Sequence, residues 1–140
     1  MKLHHVGYLV KNMQKSMQAF VALGYQPISL CGQGDVMYDP IRQCDISFMK
    51  LGNCSDSYVE LIAPKTKESP IYGLMNTYKN SPYHLCFESE DLNREVEQLQ
   101  SAGWMVFQPS TPAPAINGNH VVFLIHRSAG IIELVEKNCG

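Results

Sequence analysis

The sequence has little charge and no long run of apolar residues. Of its 140 residues 17% are charged, and 11 lysines and arginines face 13 acidic residues for a formal net charge of −2. No stretch approaches the roughly 20 apolar residues of a membrane-spanning helix, and no basic run is present that would bind nucleic acid. Apolar residues nevertheless make up 45% of the chain, which excludes intrinsic disorder. We therefore expect one folded domain over residues 1–140, with neither nucleic acid nor membrane as a partner.

The cysteines show no pairing pattern. Their number is odd, and no two have the spacing of a metal knuckle or a redox pair. The segment 1–12 lacks the unbroken apolar stretch of a signal peptide, so a cytoplasmic location is expected, where thiols stay reduced. Free thiols are therefore predicted for all five, which are Cys31, Cys44, Cys54, Cys86 and Cys139.

An internal repeat divides the chain into two similar parts. At an offset of 79 positions, HVGYLVKNMQKSMQAFVALGYQ from His5 lies without a gap over HLCFESEDLNREVEQLQSAGWM from His84. Farther along, VELIAP resembles IELVEK and pairs Glu60 with Glu133. Each part thus has a histidine on an opening strand and a glutamate on a closing strand. Chance similarity between two amphipathic units is the alternative explanation.

Hydrophobic periodicity predicts the order strand-helix-strand-strand-strand twice. Module 1 is expected at about residues 1–66 and module 2 at about 81–137, with a short connecting helix at about 69–80. The predicted strands are 3–10, 25–31, 43–51, 57–63, 82–88, 104–108, 119–125 and 130–136. The predicted helices, 13–23 and 92–102, have Asn12 and Asp91 as N-caps. The segments 32–40 and 109–119 are expected to be loops.

Strand alternation places one histidine or glutamate from each opening and closing strand on the same face of the predicted sheet. On the opening strands, His5 and His84 point to that face, whereas His4 and Tyr83 are expected on the opposite, apolar face. Glu60 and Glu133 lie within apolar runs, where an unpaired carboxylate would be costly. Two imidazoles and two carboxylates suit Zn, Ni, Co, Fe or Mn better than Ca or Mg. We therefore predict one divalent metal ion, against the alternative that each histidine is an ordinary core residue.

Four motifs, LHHVGYLV, VELIAP, PYHLCFESEDL and GIIELVE, resemble the ligand strands of the vicinal oxygen chelate superfamily, which has the glyoxalase-like fold. The resemblance implies an α+β fold in which two tandem βαβββ modules form an eight-stranded, cup-shaped mixed sheet with helices on its convex face. It also implies that His5, Glu60, His84 and Glu133 are the metal ligands, with Zn, Co, Ni or Mn bound, and that the protein is a homodimer.

Within this superfamily the motifs are most similar to those of methylmalonyl-CoA epimerases. The resemblance implies an isomerase that removes a proton next to a metal-bound carbonyl of an acyl-CoA thioester, with Glu133 and Glu60 as catalytic groups. Glu60 is a departure, because the epimerases usually carry glutamine there and bacterial glyoxalase I carries glutamate. A glyoxalase I (lactoylglutathione lyase) acting on a glutathione hemithioacetal is therefore the first alternative. A metal-free binding protein of the bleomycin-resistance type is the second.

Overall fold

Two similar halves of the molecule meet along a central pair of antiparallel strands. The computed structural model describes residues 1–30, 32, 34–52 and 58–137. Its first half comprises β1 (Lys2–Leu9), α1 (Met13–Ala22), β2 (Tyr25–Ile28), β3 (Met37–Asp39), β4 (Cys44–Leu51) and β5 (Tyr58–Pro64). A short helix, α2 (Met75–Tyr78), leads to the second half, which comprises β6 (Ser81–Ser89), α3 (Leu92–Ser101), β7 (Met105–Ala113), β8 (Asn119–His126) and β9 (Gly130–Glu136).

The described strands form one mixed sheet in the order β2-β4-β5-β1-β6-β9-β8-β7, with β3 attached to β4. The central strands β1 and β6 run antiparallel, and each pairs in parallel with the closing strand of its own half, β5 or β9. This arrangement confirms the predicted fold class. The eight predicted strands are all present, and β3 is an additional ninth within the described residues.

The sheet buries apolar side chains on both faces. Met13, Met17 and Phe20 of α1 pack over Val59 and Leu61. Helix α3 covers the matching face of β8 and β9 in the second half. Helices α1 and α3 begin at their predicted caps. The side chains of Asn12 and Asp91 each accept a hydrogen bond from the backbone N–H of the residue three positions later. The opposite, concave face carries a third cluster, drawn from both halves of the sheet.

Three segments differ from the prediction. Residues 37–39, expected in a loop, pair with β4 as β3. Strand β7 continues through Pro109 to Ala113, because an edge strand tolerates proline, whose missing N–H faces away from the ladder. The connecting helix is shorter than predicted, with a 3-10 turn at Tyr72–Leu74 before α2.

Of the five cysteines, Cys44 and Cys86 are buried and unpaired, as predicted. Cys31, Cys54 and Cys139 lie outside the described residues. Within the part of the chain that the structure describes, none of the helices has the length and apolarity required to cross a bilayer.

Candidate metal centre

The structure brings the four predicted ligand residues together on the concave face. Their exposed fractions are 1% for His5, 4% for Glu60, 3% for His84 and 4% for Glu133. One ligand atom from each lies within 4.8 Å of the other three. Two imidazoles and two carboxylates, separated by up to 128 positions in the sequence, thus share one buried point.

Strand register explains this convergence. In the parallel pair β1/β5, Glu60 lies opposite Gly7, two residues after the first histidine. In the parallel pair β6/β9, Glu133 lies opposite Cys86, two residues after the second. Side chains two apart share a face of a strand, so each half delivers one histidine and one glutamate to the same side. The antiparallel central pair then sets the two histidines side by side.

The distances within this tetrad fit a small metal ion. The Nε2 atom of His5 lies 3.2 Å from Oε1 of Glu60 and 3.2 Å from Oε1 of Glu133. The Nε2 atom of His84 lies 3.3 Å from Oε1 of Glu133 and 3.7 Å from Oε1 of Glu60, and the two Nε2 atoms are 3.2 Å apart. Two donors on one tetrahedral zinc, each at its usual bond length, are about 3.4 Å apart. The four donor atoms are therefore spaced as ligands of one ion.

The electrostatics of the tetrad also favour a cation. Burial alone would raise the pKa of Glu133, but the neighbouring side chains of His5 and His84 outweigh it and lower the pKa. Burial opposes the protonation of His5, but Cys86 and both glutamates outweigh it and raise its pKa well above the ordinary value. Oε1 of Glu133 is buried and receives no well-aligned hydrogen bond from a described residue, although Nε2 of His5 and Nε2 of His84 lie 3.2 and 3.3 Å from it. A positive charge at the convergence point would satisfy this oxygen.

The residue two positions after each histidine supports the histidine of the other half. In the β1/β6 ladder Gly7 lies opposite His84, and His5 lies opposite Cys86. A Cβ atom added at Gly7 would meet the His84 ring at 2.2 to 2.6 Å. The absence of a side chain at Gly7 is therefore what admits the imidazole of His84.

Two β-bulges correct the predicted orientation of the residues before the histidines. His4 is skipped between the pairs Leu3–Phe87 and His5–Cys86, and Tyr83 is skipped between Gly7–His84 and Tyr8–Pro82. A bulge breaks strict alternation and re-aims a side chain. His4 consequently contacts the concave-face ring of Phe48, with ring centroids 6.2 Å apart, and Tyr83 joins the concave-face cluster. The expectation that both point to the opposite face was wrong.

A buried ion pair closes one side of the site, and the sequence reasoning missed it. Nη1 of Arg42 donates to Oδ2 of Asp39 at 2.8 Å and to the carbonyl of Pro112 at 3.2 Å. Its Nη2 donates to Oγ1 of Thr111 at 2.7 Å. Both charged residues line the cavity that contains Glu60. Arg42 therefore joins the turn after β3 to β7, and only the short β3, which the sequence pattern did not reveal, places it there.

Residues 4–123 match the family described as the Glyoxalase/Bleomycin resistance protein/Dioxygenase superfamily. The chain is 28% identical over 144 residues to the mitochondrial methylmalonyl-CoA epimerase of Dictyostelium discoideum, a match that covers 97% of this chain and 78% of that protein.

Solved structures share the fold. The methylmalonyl-CoA epimerase of Mycobacterium tuberculosis superposes with a TM-score of 0.79 at 20% identity, covering 98% of this chain and 88% of that one. A variant of the Streptomyces coelicolor methylmalonyl-CoA epimerase, in complex with 2-nitronate-propionyl-CoA, superposes with a TM-score of 0.78 at 17% identity, covering 99% of each chain.

Proposed function

This chain belongs to the glyoxalase/bleomycin resistance/dioxygenase superfamily, and from that membership we propose that it is a divalent-metal-dependent epimerase of an α-substituted acyl-CoA thioester, most similar to methylmalonyl-CoA epimerase. The observation that carries the proposal is the buried tetrad of His5, Glu60, His84 and Glu133. The sequence similarity to a methylmalonyl-CoA epimerase along 97% of the chain supports the substrate class.

The four tetrad residues would hold the ion. Imidazole and carboxylate donors select a transition metal such as Zn, Co, Ni or Mn over Ca or Mg. When bound, such an ion supplies Lewis acidity to a substrate carbonyl, worth several kcal/mol of charge stabilisation. The apolar lining around the tetrad, including Ile62 and Phe123, excludes water and strengthens electrostatic interactions there.

Epimerisation needs a proton to leave one face of a carbon and return to the other. Glu60 and Glu133 come from closing strands on opposite sides of the central pair, so the two carboxylates approach a substrate in the cup from different directions. We propose that Glu133 takes the α-proton as a general base while remaining a ligand. We propose that Glu60 delivers a proton to the opposite face of the same carbon. Positioned carboxylates contribute about 10²- to 10⁴-fold in such proton transfers.

A glyoxalase I is the second candidate, and Glu60 is the observation that favours it. The same tetrad and the same two carboxylates would move a proton between the adjacent carbons of a glutathione hemithioacetal. A metal-free binding protein is disfavoured, because four buried polar side chains aimed at one point would be a large desolvation cost without a cation.

The deciding experiment follows solvent deuterium by NMR. Metal-loaded protein is incubated in D₂O with methylmalonyl-CoA and, separately, with the hemithioacetal of methylglyoxal and glutathione. The proposal predicts exchange at the α-carbon of methylmalonyl-CoA and loss of that exchange in Glu133→Gln. Exchange with the hemithioacetal alone would establish the second candidate instead, and full turnover of Glu133→Gln with full metal content would exclude Glu133 as the base.

A further inference from the structure

The bulge in β6 places Tyr83 beside the tetrad. Gly7 pairs with His84 and Tyr8 with Pro82, so Tyr83 is the extra residue of β6. Its ring meets the ring of His84 edge to face, with centroids 4.4 Å apart and planes at 87°. Without the bulge, strand alternation would turn this side chain to the convex face with Leu85 and Phe87.

Tyr83 lines the same cavity as the two glutamates. It is 6% exposed, and it shares the cavity wall with Glu60, Glu133 and the apolar Ile62 and Phe123. Among the described residues no group hydrogen-bonds to its hydroxyl, and the contacts of its side chain are with rings and apolar groups. A buried phenol normally finds a hydrogen-bond partner, so this hydroxyl is available to a ligand in the cavity.

The residue of the first half that corresponds to Tyr83 is His4, and its side chain already has a hydrogen-bonding partner within the protein. His4 precedes His5 as Tyr83 precedes His84, and it is the extra residue of the other bulge. Its Nδ1 lies 2.7 Å from Nδ1 of His5, so His4 acts on the ligand histidine itself. Tyr83 contacts its histidine only through the ring edge, which leaves its O–H donor unused by the protein.

We propose that the Tyr83 hydroxyl contacts the substrate and donates a hydrogen bond to an oxygen anion of the acyl group, the carboxylate or the enolate oxygen formed when the α-proton leaves. The proposal rests on the function proposed above. The hydroxyl keeps its proton throughout and acts as a fixed donor, the kind of group that stabilises a developing oxyanion in a water-poor site.

The first test compares Tyr83→Phe with Tyr78→Phe in the α-proton exchange assay. Tyr78 packs against Tyr83 with ring centroids 6.2 Å apart but does not line the cavity, so it is a matched control for the loss of one hydroxyl. Removal of a single oxyanion donor lowers kcat by about 10²-fold or more. We expect that loss in Tyr83→Phe, with bound metal unchanged and with Tyr78→Phe within about twofold of wild type.

The second test does not depend on turnover. Malonate, a small dianion, is titrated into metal-loaded protein by calorimetry, and its Kd is expected to rise at least about tenfold in Tyr83→Phe and not in Tyr78→Phe, as for loss of a hydrogen bond to a charged group. Malonate affinity and exchange rate both unchanged in Tyr83→Phe would overturn the inference. A lower exchange rate with unchanged malonate affinity would assign the hydrogen bond to the enolate oxygen rather than to the carboxylate. Absence of exchange in the wild-type protein would overturn the proposed function, and the malonate titration would still decide the role of Tyr83.

Discussion

The two halves of the sheet deliver their histidine and glutamate at the same register but differ at the position between them. The first half has Gly7 there and the second has Cys86, each opposite the histidine of the other half. His84 occupies the space that a side chain at Gly7 would fill, whereas His5 lies against a fully buried thiol. The position between histidine and glutamate in each half therefore shapes the surroundings of the histidine in the other half, and neither half could form the site alone.

A second difference lies at the edge of the cup. The first half has the additional strand β3, which ends at Asp39. Arg42, in the turn that follows, donates to Asp39 and also to Thr111 in the second half. The second half has no equivalent strand among the described residues. The repeat thus makes the tetrad nearly symmetric, while the cavity around it is asymmetric.

The largest effect on stability is expected from breaking this link. Arg42→Ala would leave the Asp39 carboxylate, 1% exposed, without its cation, and loss of one partner of a buried ion pair costs about 3–5 kcal/mol. Urea unfolding measures the change, with Arg127→Ala, in an exposed turn, as the control. A loss below about 1 kcal/mol, the size expected for an exposed ion pair, would contradict this role of the link.

Gly7→Ala tests the crossed packing of the histidines. The added methyl group would meet the His84 ring at 2.2 Å, so we expect about 1–3 kcal/mol of destabilisation from overpacking and a displaced imidazole. Metal content by mass spectrometry should fall well below that of wild type. Gly73→Ala is the control, because nothing lies within 4 Å of a Cβ at that position. Wild-type metal content in Gly7→Ala would contradict the account.

Cys86→Ala tests the opposite position. The thiol is 0% exposed, and its removal leaves a small cavity that costs about 1 kcal/mol. Metal content should stay at the wild-type level, because the thiol supports His5 from the side and is not a member of the tetrad. Loss of the metal in this variant would instead point to Cys86 as a ligand together with His4 and His5, whose ligand atoms also lie within 4.8 Å of it.

The helix caps should contribute no more than Cys86 does, and the effects of the two caps should be equal. Asn12 accepts from the Lys15 amide at 3.0 Å, and Asp91 accepts from the Arg94 amide at 3.2 Å. Replacement of either cap by alanine costs about 1 kcal/mol, so chemical unfolding should show similar losses for Asn12→Ala and Asp91→Ala. A loss confined to one variant would show that the helices contribute unequally to stability.

The sequence predicted the fold and the tetrad because alternation and the repeat depend on local residue type. Glu60 and Glu133 could be predicted as site residues because a carboxylate inside an apolar strand needs a charged or hydrogen-bonding partner. The module boundaries at 1–66 and 81–137, the homodimer and the cytoplasmic location stay predictions, since none of them follows from the described contacts.

The two errors of side-chain orientation share one physical cause, and the missed strand has another. Alternation assumes an unbroken ladder, but a bulge is fixed by pairing between distant strands, so the turn of His4 and Tyr83 toward the cup could not be read from either strand alone. His5 belongs to the tetrad as predicted, but His4 lies on the same side of the sheet, so strand alternation does not distinguish the two. Strand β3 was missed because three residues are too few for a periodic signal.

Metal titration of the purified protein tests the central claim most directly. Co²⁺ or Zn²⁺ is titrated into metal-free wild type, His5→Ala and His84→Ala, with His120→Ala, an exposed residue paired with Glu136, as the control. We predict one ion per chain in wild type and His120→Ala, and at least about a 100-fold loss of affinity in each ligand variant, beyond the effect of losing an outer-shell contact. Wild-type affinity in either His5→Ala or His84→Ala would contradict a single site built by both halves.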